Sequence, residues 1–193
     1  MRTDAMALHD RIRKLTYDDY VLIPDDGQRH EIIDGEHYVS PAPFLPHQDL
    51  VTELVTWLRP FAKRNRLGRV LVAPTDVLLS KYDIVQPDVF FISREKESAL
   101  TASGKRIEGA PDLAIEVLSE STRHLDEDVK LDLYDRAGVR EYWIFNSAQR
   151  SVRVFRRKMD RLDLVAELSA TAGDILTTPL LSGLEIPLTE VFE

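Results

Sequence analysis

The chain contains no cysteine, which excludes disulfides, thiolate metal sites and thiol nucleophiles. That absence fits a reducing compartment, and a cytoplasmic location is the expectation. No apolar run approaches the length that spans a bilayer, and the opening stretch MRTDAMALHDRIRK has no apolar signal core. Neither a membrane protein nor a secretory leader is therefore expected. An excess of positive charge is also missing: 25 Lys and Arg against 33 Asp and Glu leave a formal net charge of −8. This argues mildly against a non-specific nucleic-acid binder, whose footprint is usually basic, though an acidic protein can carry a local basic patch. There is no Gly-x-Ser-x-Gly elbow, which discounts Ser119, Ser121 and His124 as a hydrolase group. No repeat, low-complexity tract or long linker interrupts the 193 residues, a length that suits one domain with a real core.

What is present reads as alternating helices and strands. Residues 1–15 mix charges without a period and are expected as a loose arm, with residues 16–193 as a single domain. Thr16, three residues before Asp19, starts a helix that Pro24 closes. RHEIIDGEHYVS is the clearest hairpin, with Asp34-Gly35 as a two-residue primed turn and Glu31 opposite Tyr38. From His47 a helix buries Leu50, Val51, Leu54, Val55, Leu58, Phe61 and Ala62, with a kink or break at Pro60 and Gly68 as its cap. RVLVA, DVLLS and IVQPDVFFIS read as three strands, and SREKESALTASGKRIEGA as a polar connection. PDLAIEVLS is a strand, and TRHLDEDVKLDLYDRAG a helix buried through Val129, Leu133 and Ala137 and capped by Gly138. REYWIFN is a further strand, with Tyr142 and Trp143 read as sheet packing, and SVRVFRR and RLDLVAEL form a hairpin. The order predicts a mixed sheet with helices packed on it.

Two acidic residues stand in awkward places. In PDLAIEVLS, alternation puts Leu113, Ile115 and Val117 on one face and Asp112, Ala114 and Glu116 on the other. A carboxylate amid apolar sequence on a central strand is costly unless a metal ion or a lysine compensates it. The competing reading is a solvent-facing Glu on a one-sided sheet. Asp88 follows Pro87, which places it near a strand start or edge, where it also reads as ordinary turn chemistry. Lys130 sits 14 residues after Glu116, in a row with Asp126 and Tyr134; taken alone, it reads as half of a surface ion pair. Together, an Asp, a strand Glu and a Lys fit metal-dependent phosphodiester hydrolysis, with carboxylates holding Mg²⁺ (or Mn²⁺) and the lysine stabilising charge.

The stretches HEIIDGEHYVSPAPFLPHQ, VQPDVFFIS, APDLAIEVLSEST and KLDLYDRAGVREYWIFN resemble the Uma-type endonucleases of the PD-(D/E)XK superfamily, from about Tyr17 onward. The resemblance implies an α/β, restriction-endonuclease-like mixed β-sheet flanked by helices, with additional β-hairpins. It implies metal ligation by Asp88 and Glu116, with Lys130 and Glu31 completing the catalytic set. The parent motif carries its Lys two residues after the second acid, where this chain has Leu118, and the basic role is expected to move to Lys130. His47 and Gln48 match the pair that opens the long helix and are expected to support the cleft. Asn146 stands where related sequences usually show Asp, and a local structural effect is expected. The implied substrate is DNA; a homodimer is the default expectation, since cutting both strands is easiest with two sites related by a two-fold. The alternative is an inactive nucleic-acid-binding or assembly protein on the same fold. His30 and His37 share a hairpin face, but two His without a third ligand are a poor metal signal. The run from Arg150 to Arg161, six basic residues and one acidic, is read as a protected edge strand rather than a phosphate-binding edge.

Overall fold

The computed structural model describes residues 13–119 and 123–193. Residues 13–15 of the expected arm are tied to the body: Arg13 pairs with Asp19, Lys14 with Asp34, and the Leu15 N–H donates to the Gly35 carbonyl. Residues 1–12 lie outside the described residues. Helix α1 (Tyr17–Tyr20) is a single turn, and the Asp19 carboxylate accepts from the Thr16 N–H at 2.9 Å. Strands β1 (Arg29–Ile33) and β2 (Glu36–Ser40) form the expected hairpin with Glu31 opposite Tyr38. Asp34 (φ 51°) and Gly35 (φ 80°) supply the two positive φ angles of a primed turn.

Helix α2 (Leu45–Arg64) begins ahead of His47 and buries Leu50, Leu54, Leu58 and Ala62. It runs through Pro60 without ending. Pro60 and Thr56 both face solvent, so the carbonyl deprived of its helical partner can be hydrated. Gly68 does not cap this helix. It opens β3 (Gly68–Val72), where a Cβ would lie 2.0 Å from the Ile92 carbonyl oxygen, so the close approach of two strands demands glycine there. Strand β4 (Val77–Ser80) follows. The stretch IVQPDVFFIS is not one strand but two, β5 (Asp83–Val85) and β6 (Val89–Ser93), which pair in different sheets. Pro87 cannot donate to a ladder, and the preceding Gln86 N–H donates to Glu31 Oε1 at 2.7 Å instead.

The polar connection after β6 contains a helix, α3 (Arg94–Leu100), built from straight-chain helix formers, and the short β7 (Ile107–Glu108). Strand β8 (Leu113–Val117) is followed by a π-helical turn, Leu125–Val129, that feeds α4 (Lys130–Ala137). Gly138 (φ 84°) closes α4 in the left-handed conformation. The buried face falls on Asp126, Lys130, Leu133 and Tyr134, whereas the expected Val129 and Ala137 are only half-buried.

Strands β9 (Glu141–Asn146), β10 (Ser151–Lys158) and β11 (Arg161–Ser169) run antiparallel in succession. The body of the basic run, Ser151–Lys158, therefore lies on an interior strand, not an edge. The three arginines of β10 are ion-paired, Arg153 with Glu127 (2.7 Å), Arg156 with Glu141 (2.9 Å) and Arg157 with Asp135 (3.1 Å). A small ribbon of β12 (Ile175–Thr177) and β13 (Glu185–Pro187) and a last turn, α5 (Leu188–Val191), complete the order.

The larger sheet has the order β11-β10-β9-β8-β6-β3, with β8 and β9 parallel and its other pairs antiparallel. Leu113, Ile115 and Val117 point into a core shared with α2, the β12–β13 ribbon and α5. The opposite face, with Phe90, Ala114, Tyr142 and Ile144, packs on α4 and the second sheet, β2-β1-β5-β4-β7. Both faces of β8 are buried, so Glu116 is not solvent-facing. Trp143 and Tyr142 are packed within these two cores. Among the described residues no helix is long and apolar enough to cross a membrane.

Candidate active site

Strands β6 and β8 are antiparallel, with Val89 opposite Ile115. Continuing that register by one residue puts Asp88 opposite Glu116, on the same face of the sheet. Side chains confirm the closeness: Asp88 Oδ2 accepts the Val117 N–H at 2.9 Å, and Glu116 Oε2 lies 3.4 Å from the Asp88 nitrogen. Both carboxylates are buried.

Lys130 reaches the same point from α4. Its Nζ lies 3.0 Å from Glu116 Oε1, 3.0 Å from Glu31 Oε2 and 3.5 Å from Asp126 Oδ1. The Asp126–Lys130 pair is thus buried rather than a surface pair. Asp126, Lys130 and Tyr134, four residues apart across the π-helical turn and α4, all lie on the inner face. The Tyr134 hydroxyl donates to Glu116 Oε1 at 2.9 Å. Glu31 has its Oε1 taken by the Gln86 N–H, while Oε2 lies off the line of a hydrogen bond to Lys130 and has no hydrogen-bond partner among the described residues.

Asp88 has a different set of partners. Arg29 Nη2 lies 2.8 Å from Oδ1, and His47 Nε2 lies 3.0 Å from Oδ2. Burial alone would raise the Asp88 carboxyl, but the His47 hydrogen bond and the Arg29 charge outweigh it and hold the carboxyl well below its ordinary range. Glu116 goes the other way. Burial pushes it up, Lys130 offsets only part of this, and the Asp88, Asp126 and Glu31 charges add to the rise. Burial would discharge Lys130, yet Glu116 and Glu31 raise it far above its ordinary value, so it is an ammonium. Arg29, despite burial, is likewise held charged by Asp88 and Glu116.

A small, partly open cavity of about 40 Å³ is lined by Asp88, Glu116, Val117, Ser119, Asp126 and Lys130, with Arg29 and His47 at its wall. An open cleft of about 640 Å³ adjoins it and is also lined by Arg29, His47 and Asp88. Among the described residues no three His, Asp or Glu side chains form a ready-made metal cage. The donor chemistry nonetheless fits a hard divalent cation with water and main-chain oxygens as further ligands. Asp88, Glu116, Glu31 and Asp126 gather four carboxyl groups around the two cations Arg29 and Lys130. Glu31 Oε2 accepts no hydrogen bond among the described residues, although it lies 3.0 Å from Lys130 Nζ, so its acceptor capacity is not filled.

The structure thus brings together Asp88, Glu116, Lys130, Glu31 and His47. Gln48 is exposed and lines only the outer cleft. His30 and His37 stack at 5.2 Å and are joined to Asp26, apart from this cluster and without forming a three-ligand group. His124 is exposed and paired with Asp128, and Ser121 lies outside the described residues. Asn146 accepts the Gln149 N–H at 3.1 Å and shapes the β9–β10 turn, a local role. Sequence reasoning missed Arg29 and gave Tyr134 no role. Alternation along β1 puts Arg29 on the Glu31 face, which is the signal that would have found it.

A family model described as Uma2, "Putative restriction endonuclease", matches residues 17–189. Among solved structures, one described as a "putative nuclease belonging to DUF820 from Anabaena variabilis ATCC 29413" has the same fold. It is 18% identical with a TM-score of 0.75, over 92% of this chain and 97% of that one. No curated protein matches the sequence. The fold is the restriction-endonuclease-like one that the sequence led us to expect.

Proposed function

The chain belongs to the Uma2 family, and from that premise we propose that it is a divalent-metal-dependent endonuclease that hydrolyses phosphodiester bonds of DNA. The observation that carries this reading is the meeting of Asp88, Glu116 and Lys130 across the β6–β8 pair, with Lys130 Nζ 3.0 Å from Glu116. Asp88 and Glu116 would hold Mg²⁺ or Mn²⁺, which when bound polarises the phosphate and acidifies a water ligand.

The remaining roles follow from the side chains. Lys130 is locked as a cation by its carboxylates, so it serves as a hydrogen-bond donor and charge stabiliser rather than as a base. Glu31 positions Lys130 and holds the main chain at Gln86, beside Asp88. Tyr134 fixes the rotamer of Glu116 through Oε1. His47 orients Asp88 from the start of α2. Phe44, 81% exposed, stands at the wall of the small cavity, where an aromatic face suits stacking with a base.

The test is cleavage of plasmid and of single-stranded DNA with Mg²⁺, with Mn²⁺ and with a chelator. Cleavage should need the metal and vanish in Asp88→Asn. Either metal should raise the melting temperature of the wild type and do so less in Asp88→Asn. Cleavage that survives the chelator, or is unchanged in the variant, would contradict the proposal.

A further inference from the structure

Of the four clustered carboxylates only Asp88 lines the open cleft, and both of its oxygens are engaged. Oδ2 takes the Val117 N–H at 2.9 Å and lies 3.0 Å from His47 Nε2, while Oδ1 takes Arg29 Nη2 at 2.8 Å. Of these partners only Arg29 carries a permanent charge. Its side chain is 21% exposed, against 2% for that of the other site cation, Lys130. Arg29 also lines both the small cavity and the open cleft.

Resting on the metal-site reading above, we propose that Arg29 and the divalent cation compete for Asp88, and that the displaced guanidinium turns to the cleft and binds a substrate phosphate. A dication taken up by Asp88 would share that carboxylate with a guanidinium that lies 2.8 Å from it, and like charges so placed repel even at an effective dielectric of ~20. The side chain is anchored on β1 and opens toward the cleft, so the repelled group moves toward the space DNA would occupy. A planar guanidinium is suited to that space, because it pairs with phosphate oxygens in a bidentate fork. Arg29 would thereby link metal loading to substrate capture: the cleft would gain a free positive charge only when Asp88 is occupied. In a protein of net charge −8 this provides a local attraction for a polyanion.

Calorimetric titration with MnCl₂, without nucleic acid, tests the first half. Arg29→Met should bind Mn²⁺ about fivefold or more tightly than the wild type, the opposite of what removal of a metal ligand does. Arg29→Gln keeps an N–H donor for Asp88, guards against misfolding and should show the same gain. The second half is read from binding of a fluorescent DNA oligonucleotide in Ca²⁺ across a salt series. Loss of one phosphate contact should reduce the slope of log K against log salt by about one in both variants. If the wild type binds Mn²⁺ and the folded variants bind it equally or more weakly, the exchange is wrong while the metal-site reading stands. An unchanged salt slope removes Arg29 from phosphate binding. A wild type that binds no Mn²⁺ overturns the metal-site reading and this inference with it.

Discussion

Asp88 and Glu116 face each other across one strand pair, yet they sit in opposite electrostatic surroundings. Asp88 borders the open cleft, is paired with Arg29 and hydrogen-bonded to His47, and is held ionised. Glu116 lies behind it, sealed by Lys130 and Tyr134, and is pushed toward its protonated form by burial and three neighbouring carboxylates. Register fixes how close the two groups come, but the elements packed over each decide its charge. The β1–β2 hairpin supplies Asp88 with an arginine that borders the open cleft, whereas α4 supplies Glu116 with a lysine closed off from solvent.

The strongest way to sharpen the contrast is Glu116→Gln. It removes the inner carboxylate while keeping an acceptor for Tyr134, and DNA cleavage should fall about 10³-fold or more. Lys130→Met comes next. Cleavage should fall about 10²-fold with metal binding retained, and stability should drop by about 3–5 kcal/mol, because a buried ion pair loses one partner. A variant that cuts at the wild-type rate would remove Lys130 from the mechanism.

The pH dependence of stability separates the two acids. The folded pKa of Glu116 lies above its ordinary 4.5, so its contribution is full below pH 4.5 and is lost as pH rises toward the folded value. The folded pKa of Asp88 lies below its ordinary 3.8, so its contribution is present above pH 3.8 and is lost as pH falls toward the folded value. Urea midpoints across pH should lose part of their decline above 4.5 in Glu116→Gln, and part of their acid limb below 3.8 in Asp88→Asn. Flattening of the same limb by both variants would mean that the two titrate as one unit. The smallest effect belongs to Tyr134→Phe. Losing one buried hydrogen bond to Glu116 should cost about 1 kcal/mol in stability, with cleavage reduced less than about tenfold by the same measure.

The parts of this site that rest on local pattern were readable in the sequence. Alternation placed Glu116 on a face with Ala114, Pro87 placed Asp88 at a strand start, and Asp34-Gly35 fixed the Glu31 register. What depends on long-range pairing was not. Nothing local shows that β5 leaves the line of β6 to join β1 and β4, a divergence that leaves Glu31 beside Gln86. The π-helical turn was also hidden, because Leu125–Val129 has no local signature against ordinary helix, and the charged Asp126 and Lys130 gave no sign that their side of the helix is the buried one. Arg29 escaped notice because an arginine at a strand start usually means solvent, and only its pairing with Asp88, 59 residues away, says otherwise.

The central claim is that Asp88 and Glu116 share one divalent cation. Crystals soaked in Mn²⁺ and measured for anomalous scattering test it most directly. The account predicts one strong peak at about 2.1 Å from an oxygen of each carboxylate, with the Arg29 side chain moved away from Asp88. Ordered density for both residues with no peak between them, or a peak confined to the His30–His37 pair, would contradict it.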